Sequence, residues 1–281
     1  MNSGLTAIWL NGDFTPLDKA GISPLDRGFL YGDGLFETIR AERGKITNLP
    51  MHLERLEASL SEFCITLDPF PDWEPIMNRL LSDNGLMAGV AAIKIIVTRG
   101  ISPSMGLRAP EKATICVIAA PYDPPPPHVY EKGWKLHVYR KGYAPPLARF
   151  KSLNYLYYLT ARQAALEAGC DMAMILDQGG FVTETCAGSL LARTDGRWWI
   201  PESKFQLPGT TIRAVCAMLE NAGSKVESRP ARPKDFHSAD TVWTLNSLIG
   251  IVPVAQIDDQ QVRDPAQAEA AHWRDRLFER A

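Results

Sequence analysis

Lys151 stands in the run Arg149-Phe150-Lys151-Ser152-Leu153-Asn154-Tyr155. Breaker-rich Gly142-Tyr143-Ala144-Pro145-Pro146 precedes it, and Leu153, Tyr155, Leu156, Leu159 and Leu166 follow at roughly helical spacing. The pattern predicts a loop-to-helix junction with a buried helix face beside the amine. Lost solvation disfavours the ammonium form and makes such an amine a usable nucleophile or base. The alternative is a structural lysine whose stem lies along apolar surface. Glu184, in Phe181-Val182-Thr183-Glu184-Thr185, is a carboxylate in an apolar strand pair, where burial demands a partner. Arg55 lies near the apolar face of a predicted helix; it is either a solvated or ion-paired arginine or a fork for phosphate or carboxylate. Leu207-Pro208-Gly209-Thr210-Thr211 turns into a helix whose first amides suit an anion.

Several elements must position these groups. Ala7 to Phe14, with Asn11-Gly12 at its centre, reads as a hairpin. Asp26 to Arg40 holds three glycines among aromatics; it reads as a tight loop entering a strand from Leu35 to Ala41, or as backbone that approaches a ligand closely. Asn48 caps a predicted helix with Pro50 just inside and Met51, Leu53, Leu56 and Leu60 as its core face. A second helix is predicted over 73–84. The β-branched run Val90 to Thr98 is a strand, and Glu111 to Ala120 its partner. Four consecutive prolines, Pro124 to Pro127, fit neither a helix nor a central strand, so a stiff extended connector is predicted there. This gives a small N-terminal domain (1–120), a linker (121–133) and a larger domain (134–281). In the latter, strands are expected at 134–140, 171–177, 181–185, 187–192, 198–201 and 240–245. Helices are expected from Lys151 to Ala168, from the Gly-Thr-Thr turn to about Asn221, and from Pro265 to Ala281.

Composition narrows the function classes. Of 281 residues 46% are hydrophobic and 22% charged, an ordinary globular balance, and a formal charge of -2 gives no footprint for nucleic acid or an anionic membrane. No basic-then-apolar leader opens the sequence at Met1-Asn2-Ser3-Gly4-Leu5, and no apolar window has the ~18–20 residues of a membrane span. The five cysteines are scattered, with no C-x-x-C, as expected for reduced thiols in the cytoplasm and not for a zinc site.

Five motifs occur in order: Asp-Arg-Gly-x-x-Tyr-Gly-Asp-Gly-x-Phe-Glu-Thr from Asp26, His-x-x-Arg-Leu from His52, Lys-Ser-Leu-Asn-Tyr from Lys151, Val-Thr-Glu-Thr from Val182 and Pro-Gly-Thr-Thr from Pro208. Together they resemble the fold-type IV, class IV aminotransferase family of pyridoxal-phosphate (PLP) enzymes over almost the whole chain. That family includes branched-chain and D-amino acid aminotransferases and 4-amino-4-deoxychorismate lyases. The resemblance implies a two-domain α+β fold, with a small α/β N-terminal domain and a larger C-terminal domain around a β-barrel-like core. It implies that Lys151 carries PLP and moves the substrate proton, and that Glu184 contacts the pyridine nitrogen. It further implies that Arg55, the amides of Thr210 and Thr211, and Ser247 hold the phosphate, and that Tyr155 hydrogen-bonds the ring's 3-oxygen. Members generally form homodimers acting on small-molecule substrates, and partner residues can line the pocket.

The Tyr31-to-Thr38 string is most similar to aminodeoxychorismate lyase, which implies substrate contacts at Tyr31 and Phe36 and a catalytic-face position for Thr38. Branched-chain members usually carry Phe-Glu-Gly where this chain has Phe36-Glu37-Thr38. The Arg-x-His trap of D-amino acid aminotransferases is replaced by Arg99-Gly100-Ile101, and the lyase Arg-Gly-Tyr by Gly106-Leu107-Arg108. Arg99 and Arg108 therefore stand either as carboxylate-binding residues or as members of structural ion pairs. The expected reaction is release of pyruvate and 4-aminobenzoate for folate synthesis; the alternative is amino transfer to a 2-keto acid.

Overall fold

A computed structural model describes residues 5–279 except Ser104, Pro110 and Glu111. Glu111 as the start of a strand, the Met1–Gly4 start and the last two residues of the C-terminal helix lie outside the described residues. Contacts divide the chain into two compact units. One comprises the described residues up to Pro124 together with Phe150–Asn154; the other comprises Pro125–Arg149 and the described residues from Tyr155 onward.

The first unit contains β1 (Ala7–Leu10), β2 (Asp13–Pro16), α1 (Arg27–Tyr31), β3 (Gly34–Glu42), β4 (Lys45–Ile46), α2 (Leu49–Glu62), α3 (Trp73–Asp83), β5 (Val90–Thr98) and β6 (Thr114–Pro121). Its six strands run in the order β2-β1-β6-β5-β3-β4. The long antiparallel pair β3–β5 holds Gly34 opposite Thr98 and Thr38 opposite Lys94. Period-2 alternation sends Leu35, Ile39 and Ala41 into a core shared with Leu56 and Leu60 of α2 and Met77 and Leu80 of α3. The face of α2 is broader than its hydrophobic pattern predicts: Leu49, His52, Arg55 and Ser59 are buried with Leu56 and Leu60. Asn48 precedes α2 in the left-handed region (φ 53) and makes no side-chain cap bond. The glycine-rich run read as a loop instead holds a short helix, α1, whose N-terminus Asp26 caps by accepting the Gly28 amide at 2.7 Å.

The second unit contains α4 (Pro127–Lys132), β7 (Trp134–Val138), α5 (Leu156–Glu167), β8 (Met172–Leu176), β9 (Val182–Thr185), β10 (Ser189–Thr194), β11 (Arg197–Pro201), α6 (Thr210–Asn221), β12 (Val226–Arg229), α7 (Pro233–His237), β13 (Thr241–Asn246), β14 (Gly250–Ile257), β15 (Gln260–Gln261) and α8 (Gln267–Glu279). The sheet order is β12-β11-β10-β13-β14-β7-β8-β9, with β15 on β14. It curls until the edge strand β9 returns beside β10, where the Thr185 amide donates to the Gly188 carbonyl at 2.7 Å. The enclosed core holds Leu136, Met174, Val182, Leu190, Val242 and Val252. The proline run behaves differently from a uniform connector: Pro127 is the first residue of α4, where its missing N–H costs nothing.

The helix after Lys151 begins only at Leu156, and its buried face is Tyr158, Ala161 and Ala165. The leucine stripe expected to be buried is exposed, Leu156 at 73%, Leu159 at 56% and Leu166 at 51%. Small alanines let α5 pack against the sheet, and the leucines lie on the opposite side. Among the described residues no helix is long and apolar enough to cross a membrane, and no cluster of three or more His, Cys, Asp or Glu could hold a metal.

Candidate active site

In the first unit Lys151 lies on an extended stretch beside β3. The Phe36 amide donates to the Lys151 carbonyl and the Leu153 amide to the Gly34 carbonyl, both at 2.9 Å. The close approach that the glycines suggested is made by the chain itself: a Cβ on Gly34 would sit 2.6 Å from the Val97 carbonyl oxygen and 2.8 Å from Leu153 Cδ1. This pairing sets the amine, whose Nζ stands 4.5 Å from the centre of the Phe36 ring. Alternation along β3 puts Phe36 and Thr38 on one face and Glu37 on the other. A second cation shares the Phe36 face. Lys94, opposite Thr38 in register, brings its Nζ to 5.4 Å from the same ring.

On the reverse face Glu37 is buried with two partners from α2. Arg55 donates from Nε to Oε1 at 2.8 Å and from Nη2 to Oε2 at 2.7 Å, and His52 Nδ1 lies 2.6 Å from Oε2. Burial alone would raise the Glu37 pKa, but the hydrogen bonds from His52 and Arg55, with their charges, overcome it and bring it down to about 2. His52 is held below its ordinary value by burial and by the charges of Arg55 and Lys151, against the pull of Glu37. The ring is therefore neutral, and its Nδ1 carries the proton donated to the carboxylate.

The other residues singled out in this unit separate. Arg99 is fully buried and engaged with the fold: Nε and Nη2 donate to Asp33 at 2.8 and 3.2 Å, Nη1 to the Arg108 carbonyl at 2.8 Å, and Nη2 to the Phe63 carbonyl at 2.9 Å. Arg108 is exposed, as is Tyr31 on α1.

The second unit brings Glu184, Tyr155 and a residue the motifs did not mark, Tyr158, into one cluster. Glu184 is buried on β9, and the Tyr158 hydroxyl donates to its Oε1 at 2.9 Å. Tyr155 stacks on Tyr158 with ring centres 5.0 Å apart, and its hydroxyl donates to the Cys186 carbonyl at 3.1 Å. Burial, and next the charge of Glu184, push the pKa of both phenols upward, so both remain protonated donors. Gly209 caps α6 without a side chain: a Cβ there would sit 2.5 Å from Ser189 Oγ. Thr210 and Thr211 follow, both buried, at the helix end where backbone N–H groups have no intrahelical acceptor. Ser247 sits in the β13–β14 turn. Asn246 fixes that turn, its Oδ1 accepting the Leu248 and Ile249 amides at 3.0 Å and its Nδ2 donating to the Ala187 carbonyl at 2.9 Å.

This donor set fits PLP. A buried carboxylate suits a protonated ring nitrogen, a phenol can face the ring oxygen, and a glycine-led helix N-terminus beside hydroxyls suits a phosphate dianion. Sequence reasoning assigned no role to Tyr158, Glu37, His52 or Lys94, although Glu37 and His52 stand in two of the motifs. His52 also stands three residues before Arg55, one turn away on the same helix face, which could have linked the two.

Two α+β units, one with a curled sheet, fit the fold-type IV architecture of PLP-dependent enzymes. Comparison with known proteins agrees. The family model for class IV amino-transferases matches residues 34–257, and the chain belongs to that family. A Methanocaldococcus jannaschii protein, provisionally named a branched-chain-amino-acid aminotransferase, is 34% identical over 93% of this chain and 91% of its own. The aminodeoxychorismate lyase of Vibrio harveyi is 31% identical over 89% and 91%. D-alanine aminotransferases stand at similar identity. Among solved structures, the T.th. branched-chain amino acid aminotransferase with pyridoxamine 5'-phosphate superposes with a TM-score of 0.87 at 25% identity, covering 98% of this chain and 93% of that one.

Proposed function

We propose that the protein is a 4-amino-4-deoxychorismate lyase that releases pyruvate and 4-aminobenzoate for folate synthesis. The observation that carries this reading is Thr38. It follows Phe36-Glu37 on β3 and puts a hydroxyl on the face where the Phe36 ring meets the Lys151 amine. Branched-chain members of the family usually have glycine there. The Vibrio harveyi relative supports the same reading. PLP, when bound, supplies the electron sink for a carbanion beside the substrate amine. Lys151 Nζ holds the cofactor and takes the proton from the amine-bearing carbon. Glu184 keeps the ring nitrogen protonated. Thr210, Thr211 and Ser247 would hold the phosphate, with Arg55, which gives Nε and Nη2 to Glu37, adding its charge there; Tyr155 would face the 3-oxygen, and Tyr31, Phe36 and Arg108 would contact substrate. Arg99 is left out of the substrate contacts, since it is buried in its ion pair with Asp33. Aromatisation drives the release of pyruvate, so no acceptor is required.

The second reading, an aminotransferase for a branched-chain or D-amino acid, is favoured by the 34% identical relative. One assay separates them. Pyruvate released from 4-amino-4-deoxychorismate with no keto acid present supports the lyase. Absorbance that cycles between the two cofactor states with leucine or D-alanine, and no pyruvate release, overturns it. We also place the protein in the cytoplasm as a homodimer. Exposed Phe29 (76%), on α1, and Met105 (78%), between β5 and β6, offer apolar surface for a second copy. Sedimentation at micromolar concentration gives twice the 31.1 kDa chain mass if so.

A further inference from the structure

We infer that Tyr158 is a positioning residue for Glu184, fixing the carboxylate that the proposed cofactor reading assigns to the pyridine nitrogen. The inference rests on that reading and adds a residue that no family motif marks. Three observations within the second unit carry it. First, the Tyr158 hydroxyl donates to Glu184 Oε1 at 2.9 Å, both residues being buried. A carboxylate has two oxygens, so occupation of Oε1 by a fixed donor sets the direction in which Oε2 points. Second, the phenol itself is held in place: its ring stacks on Tyr155 at 5.0 Å and meets the edge of Tyr157 at 5.3 Å. Third, Tyr155 and Tyr158 are three residues apart, so they share one face of the chain entering α5. Their hydroxyls tie to the same short segment, one to the Glu184 side chain and the other to the Cys186 carbonyl. One helix thereby locks the orientation of the carboxylate and of the phenol assigned to the ring 3-oxygen. A donor that stays neutral suits this task. It orients the carboxylate without adding a positive charge, whereas a lysine or arginine in its place would compete with a ring N–H+.

The test is PLP binding to apo-protein, followed by tryptophan quenching and by the visible absorbance band, for wild type, Tyr158→Phe, Glu184→Gln and the double variant. Tyr158→Phe keeps the stacked ring and removes only the hydroxyl. It is expected to weaken PLP binding about tenfold, the usual effect of losing a hydrogen bond to a charged group, and to shift the band in the direction Glu184→Gln shifts it. In the Glu184→Gln background the same change is expected to have less than a twofold effect. Wild-type affinity and an unmoved band in Tyr158→Phe overturn the inference while leaving the cofactor reading intact. Undiminished loss in the double variant also overturns it, because the hydroxyl would then act elsewhere. Wild-type protein that binds no PLP overturns the cofactor reading and this inference together. If Tyr158→Phe fails to fold, fluorinated tyrosine at position 158 serves instead. Its stronger donor hydroxyl is expected to move the band opposite to Glu184→Gln, and an unmoved band counts against the inference.

Discussion

Two carboxylates are buried to similar degree, Glu37 at 1% and Glu184 at 5%, yet they are solvated in different ways. Glu37 receives both arms of the Arg55 fork and the His52 ring, and its pKa falls to about 2. Glu184 receives the neutral Tyr158 hydroxyl, which orients it without cancelling its charge. The first arrangement fixes an arginine against the sheet. The second holds one carboxylate oxygen with a neutral donor. Burial of an acid therefore does not mark a reactive group; the chemistry of its donors does.

The largest separation is expected in stability. Removing Glu37 leaves Arg55 as a buried charge without its principal partner, so Glu37→Ala should destabilise the protein by about 3–5 kcal/mol. Glu184→Gln, which keeps shape and a hydrogen-bond acceptor, should change stability by less than about 1 kcal/mol. The activities should rank in the opposite sense, with Glu184→Gln losing on the order of a hundredfold or more in turnover while it remains folded. Urea denaturation with a turnover assay measures both. Equal destabilisation by the two changes would erase the distinction.

Acid should expose the same contrast. In the unfolded chain His52 titrates near 6.5, but the folded pKa is lower, so protonation favours unfolding and stability falls as pH drops below 6.5. Glu37 has a depressed folded pKa, so its contribution is present above 4.5 and is lost as pH falls from there toward 2. Two successive losses are expected in a pH series of urea midpoints. His52→Gln should remove the upper loss and leave the lower one. A pH-independent midpoint between 7 and 5 in the wild-type protein would sink this account.

How much of this was legible in the sequence depended on the range of the interaction. The strands Val90–Thr98 and Val182–Thr185 follow from β-branched runs, and Lys151 and Glu184 stand in ordered motifs. The α5 face did not follow from hydrophobicity. Leu156 and Leu159 outrank Ala161 and Ala165 on any transfer scale, yet only the alanines are small enough to let the helix approach β8 closely. α1 was hidden because the glycines at 28, 32 and 34 read as a tight loop. The pairing of both carboxylates with their donors was out of reach for a different reason. Tyr158 and Glu184 are 26 residues apart in sequence, Glu37 and His52 are 15 apart, and only the tertiary fold brings them together.

A third acid on β3 sharpens the comparison at the smallest scale. Glu42 also accepts from an arginine, Arg40 Nη2, at 2.8 Å, close to the distance in the Glu37–Arg55 pair. Strand alternation puts Glu42 on the face opposite Glu37, and its side chain is 35% exposed where that of Glu37 is 1% exposed. The shortest charge-to-charge distance is thus nearly constant along one strand, while Arg40 meets one oxygen of Glu42, Arg55 meets both of Glu37, and solvent access changes. Arg40 is as buried as Arg55, at 6% against 7%, so the two pairs differ in the solvent that reaches the acid; Glu42→Gln should cost less than about 1 kcal/mol, and salt should screen the difference. If Glu42→Gln instead destabilised the protein as much as Glu37→Gln, the distance between charges would be the deciding variable. Exclusion of solvent around Glu37 would then no longer explain why its pair is the stronger of the two.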